Sequence, residues 1–277
     1  MAIPRPRHDS TALVTGASSG IGAEAARQLA ARGHNLVVVA RREDRLRALA
    51  TELRDAHGVQ VDVLTCDLAD AAARQRLVDE VGKLGREVTV LVNSAGYAHG
   101  GLFHRVDPAA HTPLVRTNLE ALIELVAAFV GPMAKARSGA VLNVSSFVGF
   151  QPMPGIATYA ATKAAGRAFS EALHAELAPR GVSVTALCPG PVRTEFIDVA
   201  GVEALVDSLP GFMWTSVEEC VRVGLEDLDR GKPVSVPNLA VKLFAFASTH
   251  LPHRLTIGAL TRRGRRGAAA RRASRTA

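Results

Sequence analysis

The sequence predicts a single α/β domain in which a parallel sheet of about seven strands carries helices on both faces. Two observations predict this fold. Short apolar runs with the length of buried strands alternate with helical stretches, and a glycine-rich turn joins the first run to the first helix. Apolar residues make up 48% of the 277 residues, enough for a large core. The predicted strands are 12–15, 36–40, 59–64, 88–92, 140–144, 182–187 and 233–236.

The first strand leads into a glycine-rich turn, and a helix is predicted over 23–32. Such a turn directs free backbone amides and the positive end of the helix dipole at one point, which suits a phosphate group. The alternative is a structural turn, in which glycine only permits close contact between helix and sheet. The candidate cofactor-binding residues of this turn are Gly16, Ser18, Ser19, Gly20, Ile21 and Gly22.

The second strand, 36–40, ends at Arg41 and Arg42, with no acidic residue at that point. In dinucleotide-binding folds the end of this strand meets the adenosine ribose, where an acid binds the 2′-hydroxyl and an arginine accommodates a 2′-phosphate. The pair of arginines therefore predicts NADP(H), with Arg41 as the stronger candidate. The alternative, which Arg42 fits best, is a solvated basic start to the helix predicted over 43–56.

Tyr159 and Lys163 are four residues apart in a predicted helix, so the phenol and the ammonium lie on one face. A phenol with an ordinary pKa of about 10 carries protons poorly at neutral pH, and a nearby cation favours its anion. This spacing indicates an acid/base pair, although alone it also occurs on solvated helix faces. Ser146 ends an apolar run thirteen residues upstream of the tyrosine.

Together these motifs resemble those of the short-chain dehydrogenase/reductase family, in the same order and over roughly residues 10–195. Asp67 resembles the acidic position after the third strand, where the aspartate approaches the adenine. The sequence Asn-Ser-Ala-Gly at 93–96 stands where the family usually has Asn-Asn-Ala-Gly, and we expect the serine to affect a tie between strands rather than activity. Asn118 falls at the family's catalytic asparagine, and 189–194 resembles the segment that closes over the nicotinamide.

The resemblance implies a Rossmann-type doubly wound fold and an NADP(H)-dependent carbonyl reductase that assembles as a homodimer or homotetramer. In that family pattern Tyr159 is the acid/base, and Lys163 holds the cofactor ribose and lowers the pKa of the phenol. Ser146 orients the carbonyl oxygen, and Asn118 relays protons through a bound water. Besides Tyr159 and Lys163, the cofactor-binding residues that the resemblance adds are Asp67, Leu68, Asn93, Ala95, Gly96, Pro189, Gly190, Val192 and Thr194.

Two other functions fit the same fold. One is a non-catalytic dinucleotide-sensing or scaffold protein, which the complete set of four catalytic residues disfavours. The other is a 3-ketoacyl reductase that acts on a carrier-bound substrate. For a small substrate we expect a lipophilic ketone or aldehyde, because aromatic and methionine side chains fall in segments bordering the substrate side. They are Phe147, Phe150, Met153, Phe196, Phe212, Met213 and Trp214.

The net charge of +7 arises at the C-terminal end, since residues 262–277 carry seven arginines and no acid. We divide the chain into an N-terminal arm (1–10), a catalytic domain (11–237), a helical extension (238–261) and a basic, disordered tail (262–277). Leu239, Leu243 and Phe246 recur at helical spacing in the extension. Such a helix followed by arginines suits peripheral contact with an anionic membrane, and the alternative is packing on the core or a second subunit.

The remaining composition excludes several classes of function. No aromatic residue is interleaved with the arginines, so nucleic acid is not an expected partner. Cys66, Cys188 and Cys220 are odd in number and far apart, which predicts no disulfide framework and a reducing, cytoplasmic compartment. His99 and its neighbours His104 and His111 lack the spacing of metal ligands, and we expect no metal.

Overall fold

The structure, a computed structural model, describes residues 3–201 and 209–250, without the side chains of residues 198, 199 and 250. All seven predicted strands are present, and no boundary differs by more than two residues from the prediction. They form one parallel sheet in the order β3-β2-β1-β4-β5-β6-β7. The strands are β1 (Ser10–Thr15), β2 (Leu36–Ala40), β3 (Val61–Thr65), β4 (Glu87–Asn93), β5 (Gly139–Val144), β6 (Val182–Leu187) and β7 (Val234–Ser235).

Helices cover both faces of this sheet, as the alternation of apolar runs predicts. In β2, Val38 packs into the layer under α1, α2 and α8, whereas Val37 packs into the layer under α3, α5 and α6. The helices are α1 (Gly20–Ala31), α2 (Glu43–His57), α3 (Ala71–Lys83), α4 (His111–Val115), α5 (Ala121–Ala136), α6 (Ala157–Leu177), α7 (Glu195–Ala200), α8 (Val217–Asp229) and α9 (Leu239–His250).

The strand order reverses between β1 and β4, the two strands at the centre of the sheet. At such a switch point the loops beyond the carboxyl ends of neighbouring strands diverge and leave a crevice. The loops after β1, β4, β5 and β6 carry the glycine turn, Gly96, Ser146 and Pro189. The topology therefore gathers motifs that are far apart in sequence at one edge of the sheet.

A π-helical segment, Arg116–Glu120, interrupts the regular helix between α4 and α5. The side chain of Arg74 in α3, which is 1% exposed, anchors the start of α5 by ion pairs to Glu120 and Glu124. It also donates a hydrogen bond to the backbone oxygen of Leu68 at 2.7 Å. Segments of this kind often mark functional positions, and this one contains Asn118.

The two ends of the described chain pack on the domain. Ile3 is buried, and its amide donates to the Asp229 carboxylate at 2.9 Å, so part of the predicted N-terminal arm belongs to the body of the domain. The predicted C-terminal extension begins as α9, and residues 251–277 lie outside the described part. Among the described residues, no helix has both the length and the hydrophobicity needed to cross a bilayer.

Candidate active site

A cavity of about 1090 Å³ lies along the carboxyl ends of the strands. One end is lined by the glycine turn, Arg41 and Asp67, and the other by apolar side chains that include Met153 and Phe244. Pockets for single small ligands measure about 300–1,000 Å³, so this volume suits a dinucleotide together with a second molecule.

The glycine turn is shaped by close backbone contacts. Gly16 and Gly20 have φ angles of +67° and +54°, which non-glycine residues rarely adopt. A Cβ atom on Gly16 would lie 2.8 Å from the Ala95 nitrogen, and one on Gly22 would lie 2.3 Å from the Gly16 oxygen. Gly22 is outside the cavity lining, so its role is the structural one, close packing of α1 on the turn. The other five predicted residues of the turn line the cavity, next to the amides at the start of α1.

Arg42 folds back over this turn rather than into solvent. Its guanidinium donates to the Ser18 hydroxyl at 3.0 Å and to the Ser19 hydroxyl at 2.9 Å, and it forms an ion pair with Glu195 at 2.9 Å. Hydrogen bonds from Arg45 and Arg42 lower the pKa of Glu195 to about 2. Arg42 thus links the glycine turn to the start of α7, a helix that also lines the cavity.

Three other predicted residues line the same end of the cavity. Arg41 is exposed beside Asp67, which is also exposed and accepts a hydrogen bond from the Ala69 amide at 3.0 Å. Leu68 is buried. The segment that was expected to close over the nicotinamide also reaches the cavity, through Pro189, Gly190, Val192 and Thr194.

The loop after β4 is held against the turn by Thr15, whose hydroxyl accepts hydrogen bonds from the amides of Ser94 and Ala95 at 3.1 and 3.2 Å. Ala95 and Gly96 line the cavity, but Asn93 does not. The Asn93 amide instead donates to Asn143 in β5 at 2.9 Å. In the structure this side chain therefore ties two strands together, and its role toward the cofactor stays a prediction.

Ser146, Tyr159 and Lys163 all line the cavity. Ser146 follows β5, and its hydroxyl accepts a hydrogen bond from the Val148 amide at 3.3 Å. Tyr159 and Lys163, one turn apart in α6, are both buried, and the ammonium lies 5.7 Å from the centre of the phenol ring. Lys163 also donates to the backbone oxygen of Val144 at 2.7 Å.

Burial dominates the acidities of the tyrosine and the lysine. It raises the pKa of Tyr159 to about 12, although a hydrogen bond with Ser146 acts in the opposite direction. Burial also lowers the pKa of Lys163 to about 8. Burial is therefore the largest influence on both pKa values, and the expected effect of Lys163 on the pKa of the phenol stays a prediction.

Asn118 is buried behind the cavity wall and does not line it. Its carbonyl accepts from the Tyr97 amide at 3.0 Å, and its own amide donates to the Tyr97 oxygen at 2.9 Å and to Thr162 at 3.3 Å. A Cβ atom on Gly96 would lie 3.1 Å from the Asn118 oxygen and 3.4 Å from the Lys163 ammonium. Asn118 therefore holds the loop after β4 against α6 next to Lys163, and its expected part in a proton relay stays a prediction.

The apolar end of the cavity only partly matches the predicted aromatic set. Phe147, Met153, Phe196 and Met213 line it. The other three lie elsewhere: Phe150 stacks under Arg167, Trp214 stacks under Arg193, and Phe212 is 70% exposed. Other apolar residues that line the cavity are not predicted from the sequence, among them Tyr97, Leu102, Ile156, Ile197 and Phe244.

The histidines and cysteines lie mostly outside the cavity. None of His99, His104 and His111 lines it, and His111 interacts with the Thr158 hydroxyl at 2.9 Å. All three cysteines, Cys66, Cys188 and Cys220, are buried free thiols. Of these, Cys66 lines the cavity.

Comparison with known proteins identifies the family. The model of the family described as short chain dehydrogenase matches residues 10–201. The chain belongs to this family. The predicted family and the predicted reaction class, an oxidoreductase that uses a nicotinamide dinucleotide, are thereby confirmed.

Three relatives illustrate the range of the short-chain dehydrogenase family around this chain. A short-chain dehydrogenase from Sphingobium yanoikuyae, solved in complex with NADPH, is 37% identical with a TM-score of 0.77 over 92% of this chain and 94% of that chain. A bulky-bulky ketone specific alcohol dehydrogenase from Comamonas testosteroni is 33% identical with a TM-score of 0.73 over 92% of each chain. A 3-oxoacyl-[acyl-carrier-protein] reductase from Staphylococcus aureus is 35% identical over 208 residues, which are 75% of this chain and 82% of the relative.

Proposed function

We propose that the protein reduces a bulky, lipophilic ketone or aldehyde to the alcohol, with hydride from NADPH. The observation that carries this proposal is the position of Ser146, Tyr159 and Lys163. All three line the cavity, and Tyr159 packs in the apolar cluster that contains Met153. Lys163 faces Gly96, in the loop that packs on the glycine turn. The reverse reaction, alcohol oxidation, uses the same groups.

The bound cofactor supplies the hydride that reduces the carbonyl carbon. Tyr159 donates the proton to the carbonyl oxygen, and its pKa of about 12 keeps that proton in place throughout the neutral range. Ser146 donates a hydrogen bond to the same oxygen and orients it. Lys163 is charged below its pKa of about 8, and its ammonium, 5.7 Å from the phenol ring, stabilises the phenolate that proton transfer leaves.

The positions of the two arginines support a preference for NADPH over NADH. Arg42 is already held at the phosphate turn by Ser18 and Ser19, and Arg41 lines the same end of the cavity. An arginine at this place can form charge-assisted hydrogen bonds to a 2′-phosphate. The Sphingobium relative solved with NADPH is consistent with this assignment.

The lining of the substrate end supports a lipophilic carbonyl compound. Beyond Ser146 and Tyr159 the wall is formed by side chains such as Val148, Ile156 and Phe196. Burial of an apolar substrate against such a wall contributes roughly 25 cal/mol for each Å² removed from water. The Comamonas relative, described as specific for bulky ketones, is consistent with a large and apolar substrate.

A 3-ketoacyl group on a carrier protein is the second candidate substrate, and the Staphylococcus relative favours it. The two candidates differ in what lies outside the cavity, because a carrier-bound substrate needs contacts with the carrier as well.

We also infer that the protein forms a homodimer or homotetramer in the cytoplasm. Its buried free cysteines suit a reducing compartment, and Val115 and Ile123 are exposed apolar residues on adjacent helical segments.

The test is NADPH oxidation, with the alcohol product identified, over a panel of carbonyl compounds. The panel contains bulky aryl and alkyl ketones, short polar aldehydes and a 3-oxoacyl thioester with and without carrier. We expect the highest kcat/KM for bulky apolar ketones. A kcat/KM that is higher for the carrier-bound thioester would favour the second candidate, and turnover of none of them would contradict the proposed reaction.

A further inference from the structure

Helix α9 (Leu239–His250) has two apolar faces. Val241, Ala245 and Ser248 are at most 4% exposed and form the face that packs on the domain. The opposite side, which we call the outer face of α9, consists of Leu239, Leu243 and Phe246, which are 72, 62 and 64% exposed. These three residues follow the spacing i, i+4 and i+7 and therefore lie on one stripe of the helix.

The outer face extends beyond the helix itself. Asn238, just before α9, donates hydrogen bonds to the backbone oxygens of Phe212 at 3.0 Å and Trp214 at 3.5 Å. Phe212 is 70% exposed and so adds a large aromatic side chain beside the start of the helix. Exposed apolar side chains that cluster in this way mark a surface that binds another protein or a membrane.

The part of the sequence that contains α9 carries charge of one sign. From Arg230 to Ala277 the sequence has eleven basic residues and no acidic one. Lys242 lies within α9, and seven of the arginines follow at 262–277. An apolar stripe with cations around it is the composition that binds the boundary of an anionic bilayer.

A second copy of the chain fits the outer face of α9 less well than a bilayer does. A two-fold contact places the same patch on both subunits, so Lys242, which is exposed on α9, would face its own copy. Like charges brought together in this way repel, whereas an anionic surface attracts all of them. We infer that the outer face of α9 docks on an anionic lipid bilayer, with the arginines of 262–277 supplying the electrostatic attraction.

The inner side of the same helix reaches the candidate active site. Phe244 lines the substrate end of the cavity and packs against Phe147, with ring centres 6.3 Å apart. Docking would therefore bring the substrate end of the cavity close to the bilayer. Delivery of a lipophilic substrate from the bilayer rests on the proposed function, whereas the docking itself does not.

The experiment is co-sedimentation of the full-length protein with vesicles of phosphatidylserine and phosphatidylcholine, compared with vesicles of phosphatidylcholine alone. We expect binding to the acidic vesicles only, and a steep loss as salt rises, because the screening length falls from about 30 Å at 0.01 M to about 3 Å at 1 M. Deleting residues 262–277 should weaken this binding by roughly 10²-fold or more, since each arginine near anionic lipid contributes about fivefold.

The apolar part is tested by the triple variant Leu239→Ser, Leu243→Ser, Phe246→Ser, which should bind acidic vesicles roughly tenfold less tightly or worse. The matched control is Ile123→Ser, which removes an exposed apolar residue from α5 and should leave vesicle binding unchanged. Retained NADPH affinity and retained turnover of a small soluble ketone show that the variants are folded. These two readouts also separate a failure of docking from a failure of the proposed reaction.

Two results would overturn the inference: full-length protein that ignores acidic vesicles at low salt, or a triple variant that binds them as well as the parent. A triple variant whose only defect is a smaller oligomer by light scattering would also overturn it. That result would assign the outer face to contact between subunits.

Discussion

The replacement of Arg42 by glutamine is the sharpest test of how the protein selects its cofactor. Arg42 is the residue that spans Ser18, Ser19 and Glu195, so its guanidinium is already fixed beside the phosphate turn. We expect Arg42→Gln to weaken the binding of NADPH and to leave the binding of NADH nearly unchanged, because only NADPH carries a 2′-phosphate. Arg41→Gln should have a smaller effect, since Arg41 is exposed at the end of the cavity.

The size of the expected loss in NADPH affinity depends on how exposed the Arg42 side chain is. A hydrogen bond to a charged group contributes roughly 1.5–3 kcal/mol, and about 1.4 kcal/mol corresponds to tenfold in Kd. The Arg42 side chain is 41% exposed, so solvent screening reduces the contribution to the lower end of that range. We therefore predict that Arg42→Gln weakens NADPH about tenfold.

Glu195 provides the matched control, because its carboxylate competes with a 2′-phosphate for the Arg42 guanidinium. Glu195→Gln removes an exposed ion pair worth about 0.2–1 kcal/mol, so it should tighten NADPH by up to about fivefold. Calorimetric titration of the parent and the three variants with NADPH and NADH measures both effects. Equal NADPH affinity in the parent and Arg42→Gln would refute the assignment, and an equal loss for both cofactors would show general damage to the turn.

Two further predictions concern stability and pH. Gly22→Ala should destabilise the protein by about 1–3 kcal/mol in urea unfolding, because the new Cβ would lie 2.3 Å from the Gly16 oxygen. Its control, Gly82→Ala, has open space around it and should be neutral or stabilising by up to about 1 kcal/mol, so equal losses would contradict the packing argument. For carbonyl reduction, kcat/KM should be level from acid to neutral pH and fall as pH rises through about 8. Lys163 is charged below that pKa and neutral above it, while Tyr159, with a pKa of about 12, stays protonated. A profile without this alkaline fall would refute the role of the Lys163 charge.

The sheet was predictable from sequence because buried parallel strands are short apolar runs with clear ends. β2 and β6 have the predicted boundaries, and the turn after β1 is recognisable by its glycines. The meeting of Ser146, Tyr159 and Lys163 follows from helical spacing and the family pattern. Their acidities do not follow, because burial, which raises the pKa of Tyr159, depends on side chains from many parts of the chain.

The direction in which individual side chains point is the main feature of the site that could not be predicted from the sequence. Arg41 and Arg42 are adjacent in sequence, yet Arg41 is exposed and Arg42 turns back onto Ser18. In α9 the most apolar stripe points outward, and the helix packs on the domain through smaller residues such as Ala245. Hydrophobic periodicity would select the wrong inner face here, which is why Phe244 was missed as a lining residue.

The claim that Tyr159 transfers the proton during carbonyl reduction is tested most directly by Tyr159→Phe, which removes one oxygen atom and keeps the ring. We expect NADPH affinity and thermal stability to match the parent, while kcat for the best ketone of the panel falls by roughly 10² or more, the usual effect of losing a general acid. Turnover by purified Tyr159→Phe at the parent rate would contradict the mechanism.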